Sequence, residues 1–287
     1  MKWLGYGLVM YIFLVGFIAI NETYLVYPVS KYPHGEWEPD FEFEEITLIS
    51  KDGTKLVGWY LPFPGATENA LVCHGNAENV SQAATHYGLK FQSALNANIF
   101  LADYRGYGKC QGEPFEQGIL EDVEVAMDWL CAKAGCEPDQ IIVAGHSIGG
   151  GPTVHLAASK GAKAIFLQRT FSSLVEPAAN QYWFIPVYYI MRNRYPSAER
   201  ISNCNVPLHQ SHGDLDTLVP IESGHKLFDA SPAALKKFFV NTGGGHWGRL
   251  PLRYWDEVRQ FIADVNQLPQ HRNTDTIDVD QENEASK

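Results

Sequence analysis

Residues 141–151 read Ile141-Ile142-Val143-Ala144-Gly145-His146-Ser147-Ile148-Gly149-Gly150-Gly151. Four apolar residues in succession predict a strand buried on both faces, since a half-buried strand would alternate. The glycines that follow predict a tight strand-to-helix turn carrying G-x-S-x-G. Gly145 and Gly149 remove the side chains that would clash with a strained backbone at Ser147. On such a turn the serine hydroxyl projects alone above the sheet. The helix beginning at Ile148 directs free N–H groups and the positive end of its dipole at the same point. The bare five-residue pattern is weak, with roughly 0.1 chance matches expected in a chain of this length. The strand before it and the helix after it set it apart from a glycine-rich turn with an incidental serine.

A serine hydroxyl becomes a nucleophile only with a base, and the base needs an acid to orient it. Most histidines here read as packing or surface residues: His155 falls inside the helix after Ser147, and His146 points away from the serine. His246 differs, because Asn241-Thr242-Gly243-Gly244-Gly245-His246 follows the last expected strand. A triglycine run serves little packing purpose but lets a loop bend a histidine back over the site. In the chain order Ser, Asp, His the acid belongs on the preceding loop. That loop is His212-Gly213-Asp214-Leu215-Asp216-Thr217-Leu218-Val219-Pro220, where two aspartates compete. Asp216 is the choice; Asp214 reads as a turn brace, a common use of aspartate. The expected roles are nucleophile for Ser147, proton shuttle for His246 and orienting acid for Asp216. The backbone N–H of Ile148 supplies one oxyanion donor. A second is expected at Asn76, in the loop Cys73-His74-Gly75-Asn76-Ala77-Glu78-Asn79, and such donors contribute about 3 kcal/mol each. His74 reads as a loop brace, as do Asp103 and Arg105 after the fourth strand, the alternative for Arg105 being an anion clamp.

Working outward, 43–50 (FEEITLIS) alternates, Lys51-Asp52-Gly53-Thr54 turns, and 55–61 (KLVGWYL) runs extended, which predicts an antiparallel hairpin. Short apolar runs at 70–73, 99–102, 141–144, 164–167 and 238–240 alternate with helical stretches near 80–94, 115–134, 148–160, 221–229 and 251–267. This alternation predicts a doubly wound α/β layer structure with an antiparallel start, whose functional groups lie at the carboxyl ends of its strands. The one long insertion, 170–205, carries Phe171, Tyr182, Trp183, Phe184, Tyr188, Tyr189 and Tyr195. It reads as a short lid over an apolar pocket, the alternative being a helix that merely covers the sheet.

Taken together, LVCHGNAEN (71–79), FLADYRGYGKCQGEP (100–114), IIVAGHSIGGG (141–151), HGDLDTLVP (212–220) and GGGHWG (243–248) resemble the α/β-hydrolase superfamily. Within it they are similar to the membrane-anchored BEM46-like group. The resemblance implies the α/β-hydrolase fold, a mostly parallel sheet with helices on both faces. It further implies serine-hydrolase chemistry at Ser147, Asp216 and His246, without metal or cofactor, on an acyl ester or thioester. Three departures bear on substrate range rather than on the triad. Cys110 stands where serine is usual, Trp247 where a small polar residue commonly follows the histidine, and Gln168-Arg169-Thr170 where a small, proline-containing exit is usual.

The chain has 287 residues, 45% of them hydrophobic and 13% aromatic, which excludes wholesale disorder. A formal net charge of −11 argues against a nucleic-acid partner. The cysteines at 73, 110, 131, 136 and 204 are too few for a disulfide-built fold and lack zinc-site spacing, with pairing of Cys131 and Cys136 left open. Residues 3–20 carry no charge and predict a retained single-pass transmembrane anchor over 1–21, the alternative being a cleaved signal peptide. Lys2 before this run and Glu22 after it place the rest of the chain outside the cytoplasm. Asn21 and Asn79 fit the glycosylation acceptor pattern. A linker is expected over 22–40, the hydrolase domain over 41–268 and a disordered acidic tail over 269–287. The expected whole is a membrane-anchored serine hydrolase. The alternatives are an exopeptidase, for which 170–205 offers only Glu176 and Glu199 to hold an amine, and a non-catalytic membrane-tethered binding protein.

Overall fold

In the computed structural model, which describes residues 2–269, the apolar runs become a single eight-stranded sheet. Its strands are β1 (Glu44–Ile49), β2 (Lys55–Leu61), β3 (Glu68–Cys73), β4 (Ala97–Ala102), β5 (Ile141–His146), β6 (Ala164–Gln168), β7 (Leu208–Gly213) and β8 (Lys236–Asn241). They lie in the order β1-β2-β4-β3-β5-β6-β7-β8. The pairs β1/β2 and β2/β4 are antiparallel and all the others parallel. The doubly wound sheet with an antiparallel start is as the sequence predicts.

Neighbouring residues on the central strands face opposite sides, and both sides are filled. Val143 and Ile165 pack into one core with Leu120 and Val123 of helix 116–134 and with Val154. Ile142 and Phe166 pack into the other with Phe91, Tyr254 and Phe261. Two buried faces are the reason these strands read as continuous apolar runs. The helix after β3, Leu89–Leu95, lies on the second face, whereas the helix after β5, Gly150–Ser159, lies on the first. The carboxyl ends of β3 and β5, paired in register at Cys73 and Gly145, therefore diverge into a crevice, where α/β sheets hold their ligands.

Two amino-terminal helices, α1 (Lys2–Ile20) and α2 (Glu22–Val26), pack against the insertion. Among the described residues no helix is long and apolar enough to cross a membrane. The transmembrane anchor, the single-pass localisation and the membrane partner expected for residues 1–21 are corrected accordingly. Two apolar residues near the end of α1 face the protein itself: Val15 and Ile18 pack with Val175, Ile185, Val187 and Met191. The Tyr11 hydroxyl donates to the Phe184 carbonyl (2.8 Å), and Arg192 Nη2 donates to the Ala19 carbonyl (3.1 Å).

The stretch read as a linker is tied down at its start. Glu22 accepts from the backbone N–H groups of Arg192 and Asn193 and from both their side chains, at 2.8–2.9 Å. Burial pushes its carboxyl pKa up, but these four bonds outweigh burial and hold it below the usual range. The Tyr27 hydroxyl donates to Asn193 Oδ1 at 3.0 Å and lies 3.0 Å from the Tyr195 hydroxyl. Asn79 is fully buried as the cap of the helix Val80–Ala83, which closes it to glycosylation in the fold. All five cysteines are free. The acidic tail beyond Pro269 lies outside the described residues.

Candidate active site

Ser147 follows β5 at the crevice and takes a left-handed backbone, φ 53°, a conformation most side chains avoid. The glycines around it are required by close approach. A Cβ on Gly145 would meet the Gly149 carbonyl and Thr153 Oγ1, and one on Gly149 would meet the carbonyls of Cys73 and His74. Thr170, at the exit from β6, donates from Oγ1 to the Ser147 carbonyl (2.7 Å) and so braces the strained residue.

His246 Nε2 lies 2.9 Å from Ser147 Oγ, and His246 Nδ1 lies 2.8 Å from Asp216 Oδ2. An ionised carboxylate can only accept, so Nδ1 carries the proton and Nε2 is left to accept from the serine hydroxyl. Asp216 Oδ1 accepts from the N–H groups of Leu218 (3.0 Å) and Val219 (2.8 Å). Burial pushes the Asp216 pKa up, but hydrogen bonding from His212 and His246, the electrostatic pull of His246 and the Val219 amide bring it well below the usual carboxylate range. His212 Nε2, 3.4 Å from Asp216 Oδ2, donates to the Val219 carbonyl at 2.8 Å. Asp214 stays apart from the triad geometry and accepts from the N–H of Gly243 (2.7 Å), bracing the loop that carries His246.

Asn76, after β3, and Ile148, after Ser147, line the same cleft as Ser147. The Asn76 side chain is clamped: Nδ2 donates to the Val26 carbonyl (2.6 Å), and Oδ1 accepts from the Tyr107 hydroxyl (2.6 Å). This fixes the loop whose backbone N–H is the expected second oxyanion donor, and it ties that loop to α2. The cleft has a volume of about 320 Å³ and an apolar lining. Phe171, Leu174, Ile185, Val187 and Met191 come from the insertion, and Ile18, Leu25 and Val26 from α1 and α2. The insertion thus covers the serine, though chiefly with aliphatic residues, since Trp183 and Tyr189 are exposed and Tyr195 is buried beneath. Among the described residues no three His, Cys, Asp or Glu side chains gather as a metal site.

An uncharacterized protein of Mycobacterium tuberculosis is 33% identical over 234 residues, covering 79% of this chain and 81% of its own. The YfhR protein of Salmonella typhi is 32% identical over 278 residues, covering 89% of this chain and 91% of its own. The chain belongs to the YfhR family. No family model matches it. Among solved structures, the Pyrococcus furiosus esterase Pf2001 superposes with a TM-score of 0.66 at 19% identity, covering 83% of this chain and 98% of that one. At that identity the likeness speaks for the fold, which is the α/β-hydrolase fold.

In this YfhR-family chain three residues beside the triad escaped the sequence reading. His212 supports Asp216, as described. His146, one step before the serine, turns its ring to within 5.8 Å of the His246 ring centroid. Burial lowers its pKa, and its Nδ1 stands 3.6 Å from Glu78 Oε1, too far for a hydrogen bond. Arg169, at φ 51°, donates from Nη1 to the carbonyls of His246 (3.0 Å) and Gly248 (2.9 Å). Its unusual place after β6 was the only signal in the sequence. His74, stacked on Tyr104 and 3.3 Å from Asp103, braces its loop, and Arg105 is bound by Asp122 and Asp52 rather than lining a site.

Proposed function

We propose that this chain is a serine hydrolase that cleaves esters or thioesters of apolar acyl groups through an acyl-enzyme. The observation that carries this reading is the hydrogen-bonded chain Ser147–His246–Asp216 beneath an apolar cleft. Ser147 Oγ attacks the carbonyl carbon while His246 Nε2 takes the hydroxyl proton, and Asp216 stabilises the imidazolium that forms. The N–H groups of Ile148 and Asn76 hold the oxyanion, aided by the helix that starts at the serine. His246 then protonates the leaving oxygen or sulfur, and water, activated by the same imidazole, releases the acid. The BEM46-like motifs point the same way, and the aliphatic cleft suits a hydrocarbon acyl chain. The exopeptidase alternative finds less support, because Glu176 is engaged by Lys226, Ser172 and Ser223.

The test is a fluorophosphonate probe on the full chain, together with p-nitrophenyl esters of graded length. The expected result is covalent labelling at Ser147, absent from Ser147→Ala, and turnover of both short and long acyl chains. Equal labelling of Ser147→Ala, or turnover of aminoacyl amides alone, rejects the reading.

A further inference from the structure

A second cleft, of about 490 Å³, lies on the other side of the His246–Trp247 segment and takes no part in the chemistry above. Asn76 and Trp247 belong to the walls of both clefts, and His246, which lines the second, reaches Ser147 Oγ at the floor of the first. Its charged lining is cationic: Lys90, Arg169 and Arg249 face a single carboxylate, Glu78. That carboxylate is already engaged, accepting from the Gly75 N–H (2.7 Å), the Tyr87 hydroxyl (2.8 Å) and His86 Nδ1 (3.2 Å). The ion pairs within the cleft are those of Glu78 with His86 and, at 3.6 Å, with His146; Lys90, Arg169 and Arg249 have none among the described residues. In a chain of net charge −11 this is a local reversal of sign.

Arg169 is the decisive residue. It is only 4% exposed, and while Nη1 holds the His246 loop, Nε and Nη2 have no hydrogen-bond partner. A buried guanidinium with no salt-bridge partner, offset only by the more distant Asp216 carboxylate, is unfavourable, and its planar fork matches the oxygens of a phosphate or carboxylate. Lys90 and Arg249 crowd the same cleft: burial first, and the Arg249 charge second, hold the Lys90 ammonium below its ordinary pKa. Like charges gathered in this way are relieved by an anion between them.

We propose that this cleft binds an anionic group, a phosphate or a carboxylate, on the alcohol or thiol half of the substrate. Arg169, Lys90 and Arg249 hold that group while the acyl half occupies the apolar cleft across Trp247. The proposal rests on the serine-hydrolase reading and adds the class of leaving group. The bond from Ser147 Oγ to the acyl carbon forms, the bond from that carbon to the leaving oxygen or sulfur breaks, and His246 supplies the proton. The leaving half departs into the cationic cleft with its own charge unchanged.

Two measurements on the full chain test this. The first compares kcat/KM for 4-acetoxybenzoate with that for its neutral methyl ester, in the natural protein and in Lys90→Gln/Arg249→Gln. The natural protein is expected to favour the anionic ester, and the double variant to lose that preference by about tenfold. The second titrates Ser147→Ala calorimetrically with 4-hydroxybenzoate and, separately, inorganic phosphate. Binding of either, weakened by the same double substitution, supports the subsite, and the stronger of the two identifies the anion. Turnover of the neutral ester with no anionic preference and no anion binding overturns the subsite and leaves the hydrolase reading standing. Absence of turnover and of fluorophosphonate labelling overturns the hydrolase reading and with it the leaving-group assignment, while the titration decides whether the cleft binds anions.

Discussion

Ser147 is held in its strained conformation from three sides, by the glycines beside it, the Thr170 hydroxyl behind it and the His246 imidazole in front. The imidazole is set in turn by Asp216, and replacing that acid with an amide reverses the tautomer, because an amide N–H₂ donates where the carboxylate accepted. Asp216→Asn is therefore expected to fold and to lose about 10⁴-fold in kcat. A kcat within tenfold of the natural protein, measured on a p-nitrophenyl ester, would remove Asp216 from the proposed machinery. That Ser147, Asp216 and His246 come together was legible in the sequence, because each follows a predictable strand end and the three occur in a known chain order. Arg169 was not. Its unpartnered nitrogens and its hold on the His246 loop depend on the left-handed turn after β6, which no local pattern announces.

The same contrast holds for whole elements. The opening hairpin could be read from its alternation and turn, and the central strands β3 to β6 because burial on both faces leaves a continuous apolar run, whereas β7 (LHQSHG) buries polar side chains and offers no such run. The amino-terminal segment was misread, since hydropathy alone does not distinguish a helix facing lipid from one whose last turns face other protein. Where α2 ends could not be foreseen either: its Val26 carbonyl receives the Asn76 amide, so a segment taken for a linker reaches the loop of the proposed second oxyanion donor. Glu22 fixes this arrangement, and hydrogen bonds to a charged group contribute about 1.5–3 kcal/mol each. Glu22→Ala is expected to loosen the wall shared by α1, α2 and the insertion. KM for long-chain p-nitrophenyl esters should rise several-fold, with acetate esters little affected; an equal rise for both would mean that this wall does not contact the acyl chain.

At the scale of the whole molecule, two carboxylates set the response to acid. Asp216 and Glu78 both hold their protons more weakly in the fold than in the unfolded chain. In each, the histidines beside the carboxylate (His146 and His86 at Glu78, His212 and His246 at Asp216) outweigh the upward push of burial. Their stabilisation is complete above the unfolded carboxylate range, about pH 4, and is withdrawn as pH falls below it toward the folded values. The urea midpoint is expected to drop through that range, and less steeply in Glu78→Gln; parallel profiles would assign the acid response to other groups. A final consequence follows from how far apart in the chain the partners of α1 and α2 lie. Tyr11 and Phe184 are separated by 173 residues, and Glu22 and Arg192 by 170. At a ribosome's pace of about 5–20 residues per second, the first helix emerges on the order of ten seconds or more before the segment that receives it exists. For that interval its oily side has nowhere to rest, so the yield of finished protein depends on what shelters the nascent chain.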